Sequence, residues 1–515
     1  MKKGMKRAVA LLIVVWMLIF GISACQTEPG AETEGSTLGE ATEGTTEATI
    51  EETTAETEAP LPDWYLSKPS CDAQLSHLPD EIGTEKDEIM VLYWSDCEIG
   101  EFESQFGVSY EQELYKRNMA VTEKLGVKRL GFVCIPGNHG QKEEFAEFVG
   151  KSYLSGEQKY DVIATYSRTA ALCAIQGYYA DLSAVEESYL DLSKPWWPAS
   201  LEQDLMVDGA LYYVTGDIST AFTSMMYSVV LNLDFAEELR IEDPVAMVKD
   251  GSWTVAELIR LSEGLYRDLD GDGERSAGDR YGFSTQQLHT DAFYHGSGLR
   301  LVEPDAEKGL VISPDYTSET LGKLAFLLGN FIASEDTDGR YGERTYHDGE
   351  VLFAMNRIYV AERKMRSSKM QYIHLPVPKY LETQDGYSTC VANPFSLWGI
   401  MADALPEQKV LCTALLECMG RCGYTYMTPI IFGENVCPHL DEETERDAAR
   451  LFELIREGAV LDYGRILPND VMPAYMNEVF SKIVHGKADP ETGWRTEEMA
   501  SALAEAAMRL CKGAE

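Results

Sequence analysis

From about residue 84 to residue 178, short apolar runs alternate with amphipathic stretches, and no other feature limits the fold as strongly. The run 88–94 (EIMVLYW) has no polar face to leave in water. It reads as a strand covered on both sides. Residues 109–126 place Tyr110, Leu114, Met119 and Leu125 roughly on one helical face. A second apolar run at 129–135 is ended by Pro136-Gly137, and a second helix is expected over 141–154. A third strand is expected over 160–165, with Ser167 as the N-cap of a helix at 168–178. Strand–helix–strand order requires crossover connections, so these strands pair in parallel and the class is α/β.

The middle of the chain keeps this mix. Residues 211–214 and 226–231 are strand-like, and a helix starts at Trp253 with Thr254 near its N-terminus. Helices are expected at 317–333 and 348–368, strands at 371–377 and 394–401, and helices at 406–422, 444–457 and 496–511. There is no internal repeat.

The N-terminus addresses the chain. Lys2, Lys3, Lys6 and Arg7 precede an apolar run from Ala8 to Ile22. That run is shorter than the ~20 residues a spanning helix needs, and it fits the core of an export signal. It ends Gly21-Ile22-Ser23-Ala24-Cys25, which resembles a bacterial lipobox. The resemblance implies lipidation at Cys25, a signal peptide over 1–25, and a product anchored to the outer face of the cell membrane. Residues 26–62 hold ten Thr, ten Glu and no Lys or Arg. Such a stretch can bury almost nothing and repels itself, so it reads as a disordered tether.

Charge narrows the partners. The 515-residue chain has 44 Lys+Arg against 85 Asp+Glu, a formal charge of −41. Residues 63–515 alone keep −35, so the tether is not the main source. A field of that sign repels phosphate backbones and excludes nucleic-acid binding. It also repels anionic lipid, so membrane contact needs the lipid anchor. Eight His leave little scope for a multi-His metal centre. Of eleven Cys, ten remain after Cys25. Export permits disulfides, but a core this large does not need them, and pairing is not readable from spacing. Cys418 and Cys422, at i,i+4 on an expected helix, read as buried thiols rather than half of a zinc site, since no further ligands stand near.

Several phrases occur in a telling order. They are YDVIA at 160–164, ADLS at 180–183, LSKPWW at 192–197, DGALYYVTGD at 208–217, YSVVLN at 227–232 and GSWTV at 251–255. With the lipobox and tether, the chain over roughly 84–511 resembles the extracellular solute-binding proteins of bacterial ABC importers, in their family 1, sugar-binding lineage. The resemblance implies an α/β, two-lobed periplasmic-binding-protein type II fold with an interlobe cleft. One lobe would be 84–222 plus 393–435 and the other 223–392, with helices of 436–515 packing on both. It implies a monomer that captures a small solute, a carbohydrate, by hinge closure and delivers it to a membrane permease. No catalytic residue is implied.

The sharpest local motif is DLDGDGERSAGD at 268–279. Asp268, Asp270, Asp272 and Asp279 stand at positions 1, 3, 5 and 12, with Gly273 at 6. This is the spacing of an EF-hand-type calcium loop, where Glu274 at position 7 supplies a backbone carbonyl. Asp279 replaces the usual Glu and reaches less far. Calcium here would have a structural role.

Sugar sites combine aromatic faces with short polar groups, and in this fold they sit on loops at strand ends. The candidates are Trp94, Ser95 and Asp96 after the first strand, Tyr166 and Arg168 after the third, then Asp217 and Trp398. The helix start at Ser167 would offer free N–H groups, and His289 and His295 lie in a polar stretch. A secreted hydrolase is the second reading. It lacks support, because there is no GxSxG, HExxH or GxxxxGK[ST], and carboxylate pairs mean little in so acidic a chain. A surface adhesion module, the third, lacks repeats.

Overall fold

The apolar runs at 88–94, 129–135 and 162–166 do pair in parallel. The computed structural model describes residues 59–66, 77–79, 82, 84, 86–95, 97, 100–103, 111–340, 350–367, 369–467, 476–489 and 496–512. The signal segment, Cys25, the tether up to residue 58, Asp96 and Tyr110 lie outside the described residues. In chain order the strands are β1 (Glu88–Trp94), β2 (Arg129–Ile135), β3 (Val162–Tyr166), β4 (Tyr227–Asn232), β5 (Tyr281–Ser284), β6 (Val302–Asp305), β7 (Gly309–Ile312), β8 (Thr337–Asp338), β9 (Val351–Arg357), β10 (Tyr372–Leu375), β11 (Thr389–Cys390), β12 (Ser396–Ile400) and β13 (Ala459–Val460).

The first sheet has the order β12-β3-β1-β2. β1 pairs in parallel with β2 and β3, and β12 joins antiparallel on β3 with Trp398 opposite Ala164. The second sheet has the order β10-β4-β9-β5-β8. Its β5 is parallel to both β8 and β9, while β4 runs antiparallel to β9 and β10. The first sheet therefore takes strands from both ends of the segment that builds the second. The chain passes between them over 167–226 and again over 376–395.

Helices cover these sheets where the amphipathic stretches lie: Glu111–Leu125, Lys142–Ser155, Ser167–Ile175, Ser318–Ile332, Pro406–Cys422, Glu442–Glu457 and Thr496–Lys512. The helix Glu111–Leu125 buries Leu114, Arg117, Val121 and Leu125, a strict i, i+3, i+7 face. Met119 is off that face and 48% exposed. Thr254 caps Val255–Ser262 as expected, its hydroxyl accepting from the Glu257 N–H. Ser167 does not cap. It is the first helical residue, its N–H donates to the Phe395 carbonyl at 3.0 Å, and its Oγ donates to the Asn393 carbonyl at 2.9 Å. Its groups are spent on tying the helix to the strand entry of β12 and are not free for a ligand.

Residues 348–368 are the main departure. They form β9, then a short π-turn at Ala361–Met365. Val351 to Asn356 are buried on both faces of the second sheet, so the run shows neither strand alternation nor a helical stripe, and length alone misleads. Under this sheet Trp253 is fully buried, with its indole N–H on the Pro376 carbonyl at 2.9 Å. Among the described residues no helix is long and apolar enough to cross a membrane. Cys422 is disulfide-bonded, which corrects its reading as a thiol, while Cys418 is a buried free thiol.

Candidate functional site

The C-terminal ends of β2 and β3 in the first sheet and of β5, β8 and β9 in the second lead into one cavity of about 910 Å³. In open α/β sheets ligands bind outside those ends. The first sheet supplies Tyr166, the last residue of β3, Arg168 just beyond it, and His139 after β2. The second sheet supplies Gln286 and Gln287 after β5, Arg340 after β8, and Arg357, which ends β9. Tyr227, at the start of the antiparallel β4, and Asn393 and Pro394, before the antiparallel β12, reach the same place. Asp291, Arg465, Glu478 and Lys482 complete the wall.

Two buried links join the wall's parts. Arg168 Nε donates to the Arg465 carbonyl at 2.9 Å, and the Asn393 amide donates to the same oxygen at 2.7 Å. The Arg465 guanidinium forms an ion pair with Asp291, with both side chains buried. The Tyr166 ring rests on Trp94, centroids 5.4 Å apart, and lies 6.4 Å from the His139 ring. The pKa of His139 is lowered, first by burial and then by the Arg168 and Lys142 charges. It is therefore neutral at physiological pH. Behind Tyr227, His289 places Nδ1 3.3 Å from the phenol oxygen. Burial drives the pKa of His289 down to about 3, so it serves as a neutral prop. His295 is buried deeper, with Nδ1 3.9 Å from Asp462, and does not line the cavity.

Of the six ligand-facing candidates among the described residues, Tyr166 and Arg168 are brought together and Trp94, Ser95, Asp217 and Trp398 are not. Trp94 is 1% exposed, and its indole N–H donates to Ser396 Oγ at 2.9 Å. Strand alternation turns its ring into the layer behind Tyr166. Trp398 is fully buried, packs on Phe102 at 5.5 Å, and donates to the buried Glu101 carboxylate at 3.3 Å. Ser95 is exposed, but it is absent from the cavity wall. Asp217 is buried, accepts from the Thr428 hydroxyl, and pairs with Arg456. Burial pushes its carboxyl up to about 6 against the Arg456 charge. It borders a separate cavity of about 430 Å³ with Trp196, Trp197 and Glu453. There Gly216 is required, since a Cβ would lie 2.4 Å from the Trp196 carbonyl at a φ of +135°.

The residues that sequence reasoning missed are Tyr227, Gln286, Gln287, Arg340 and Arg357. Each stands at a strand end. Arg357 was hidden by the helical reading of 348–368. Gln286 and Gln287 closely follow β5, and position at a strand end is the signal that marks them.

In the acidic loop, carboxylate oxygens of Asp268, Asp270 and Asp279 lie within 4.8 Å of one another. Asp268 accepts from the N–H groups of Gly271 at 2.7 Å and Gly273 at 2.8 Å, which hold its carboxyl below the usual range. Asp279 is buried and accepts from the N–H of Ser276 at 2.7 Å and of Leu269 at 3.2 Å. The pKa of Asp270 is raised. The Asp272 N–H lowers it, but burial and the charges of Asp272, Asp268 and Asp279 together outweigh that bond. Asp272 Oδ1 accepts from the Glu274 N–H at 2.7 Å, and neither Asp272 nor Glu274 joins the cluster of three.

These sheets and this cleft define the α/β, two-lobed periplasmic-binding-protein type II fold. The cyclic α-maltosyl-1,6-maltose binding protein from Arthrobacter globiformis superimposes with a TM-score of 0.51 at 13% identity, covering 82% of this chain and 99% of its own. An ABC substrate-binding protein from Listeria monocytogenes in complex with cycloalternan gives a TM-score of 0.48 at 15% identity, over 83% of this chain and 99% of its own. A cyclo/maltodextrin-binding protein complexed with maltotetraose gives 0.48 at 13% identity, over 84% and 98%. No family model and no curated protein matches the chain.

Proposed function

We propose that this chain is the lipid-anchored, extracellular substrate-binding component of an ABC importer, which captures a carbohydrate and delivers it to a membrane permease. One observation carries this reading: the cavity of about 910 Å³ is walled by side chains from the strand ends of both sheets. A ligand held by both can favour the closed arrangement of two lobes, which is the only way a ligand drives closure. The lobes are assigned as 84–222 plus 393–435 and 223–392, with 436–515 packed on them. Tyr166 offers an aromatic edge for a sugar face, and Gln286, Gln287 and Asn393 offer hydroxyl partners. The sugar-binding role of the Arthrobacter protein of like fold favours the same ligand class. We read the chain as a monomer that breaks no bond in its ligand, and lipidation at Cys25 supplies the anchor. The loop at Asp268, Asp270, Asp272, Glu274 and Asp279 we read as a structural calcium site, in which three converging carboxylates would be relieved of mutual repulsion by the cation.

Differential scanning fluorimetry of the mature chain against a saccharide library tests the function. A rise in melting temperature with one or a few saccharides is expected, because a ligand that binds only the native state stabilises it. A flat response across the library, or breakdown of a compound that does bind, favours the hydrolase or adhesion readings.

A further inference from the structure

The chain carries a formal charge of −41, yet its cleft is cationic. The cavity wall holds Arg168, Arg340, Arg357, Arg465 and Lys482 against two carboxylates, Asp291 and Glu478. Both carboxylates are already engaged, Asp291 by Arg465 and Glu478 by Lys482 at 3.0 Å. Neither carboxylate pairs with Arg340 or Arg357. Arg357 stacks on the Tyr359 ring at 4.7 Å and donates to its hydroxyl at 2.9 Å, with no carboxylate partner among the described residues. Its Nε is buried without a hydrogen-bond partner. Arg465 is 7% exposed, and its Nε is likewise without a partner. The exposed Arg340 side chain makes no ion pair among the described residues.

A buried donor without a partner is costly to leave unsatisfied, and guanidinium forks match oxyanions in shape as well as charge. Neutral sugar hydroxyls need no such concentration of guanidinium. The many surface carboxylates do not forbid an anion here, because charges farther off than about 8 Å are largely screened at physiological ionic strength.

We propose that the cleft takes an anionic saccharide, one bearing a carboxylate or sulfate group that is held by Arg357, Arg340 and Arg465. The proposal rests on the solute-binding reading above and names its ligand class.

Calorimetry on the full mature chain tests it, with four probes: trigalacturonate, its neutral methyl ester, a sulfated heparin disaccharide and inorganic phosphate. The expected result is binding of trigalacturonate or the heparin disaccharide at least tenfold tighter than of the neutral ester. Which of the two binds identifies the oxyanion. Arg340→Gln, an exposed change that leaves folding intact, should weaken that acidic probe at least threefold and leave the ester unaffected. Arg357→Gln should weaken it at least tenfold, with an unchanged melting midpoint as the folding control. Ester binding as tight as that of the acids overturns the anionic proposal and leaves the solute-binding function standing. Phosphate binding as tight as that of either acidic saccharide also overturns it, because the saccharide is then superfluous. No binding of any probe, together with a flat saccharide library, removes both readings.

Discussion

Arg168 Nε and the carbonyl oxygen of Arg465 lie 2.9 Å apart, tying the helix that follows β3 to a segment 297 residues further on. Arg465 in turn pairs with Asp291, which follows β5. A first-sheet element and a second-sheet element are thus clasped through one buried arginine. Replacing Asp291 with Ala leaves the Arg465 guanidinium buried and uncompensated. The expected loss is about 3–5 kcal/mol, the usual result of removing one partner of a buried pair. Urea unfolding measures it, and a loss under 1 kcal/mol would show the clasp to be incidental.

The Trp94 ring supports Tyr166 from behind, at 5.4 Å between centroids. Trp94→Ala opens a core cavity and removes the donor to Ser396, at an expected cost of about 3–5 kcal/mol. Tyr166, 6% exposed, also lines the cavity, so Tyr166→Ala is expected to weaken ligand binding in addition to its packing cost. Paired unfolding and binding measurements should separate the two, with Trp94 dominating stability and Tyr166 dominating affinity.

Calcium should act on stability alone. With three carboxylates converging, the loop at 268–279 is expected to melt earlier in chelator than in millimolar Ca²⁺, and Asp268→Asn should remove that difference. Identical midpoints in both buffers would retire the calcium reading.

Stability should fall as pH rises toward neutrality, partly through Glu417. Burial pushes its carboxyl up to about 7, against bonds from the Asp191 N–H and the Trp197 indole that lower it. In the unfolded chain it titrates near about 4.3. Between those values the native state keeps a proton that the unfolded state has released, so the unfolding free energy declines with pH across that window. Glu417→Gln keeps the acceptor for both bonds and removes the titration. The variant should therefore gain on its parent between pH 5 and 8 in urea melts. A constant offset would contradict this.

The first sheet was readable because parallel strands covered on both faces are continuous apolar runs, set between helices with a clear stripe. β9 defeated the same logic. Buried from Val351 to Asn356, it has no face to alternate, and its misreading concealed Arg357. Strand ends led to Tyr166 and Arg168, which the structure places on the cavity wall. They did not tell which way Trp94 turns, since neighbouring residues at a strand end point to opposite sides of the sheet, and Trp398 is the central residue of β12 rather than its end. Asp217 was misleading for another reason. Its partner Arg456 lies 239 residues away, a distance no local pattern reveals.

Calorimetry of the mature chain with the best saccharide from the library, followed by recovery of that saccharide, is the most direct test. Capture in the cleft predicts one ligand per chain, recovered intact, with affinity lost at least tenfold in Tyr166→Ala. Equal affinity in the variant, or a recovered ligand that has been cleaved, would contradict it.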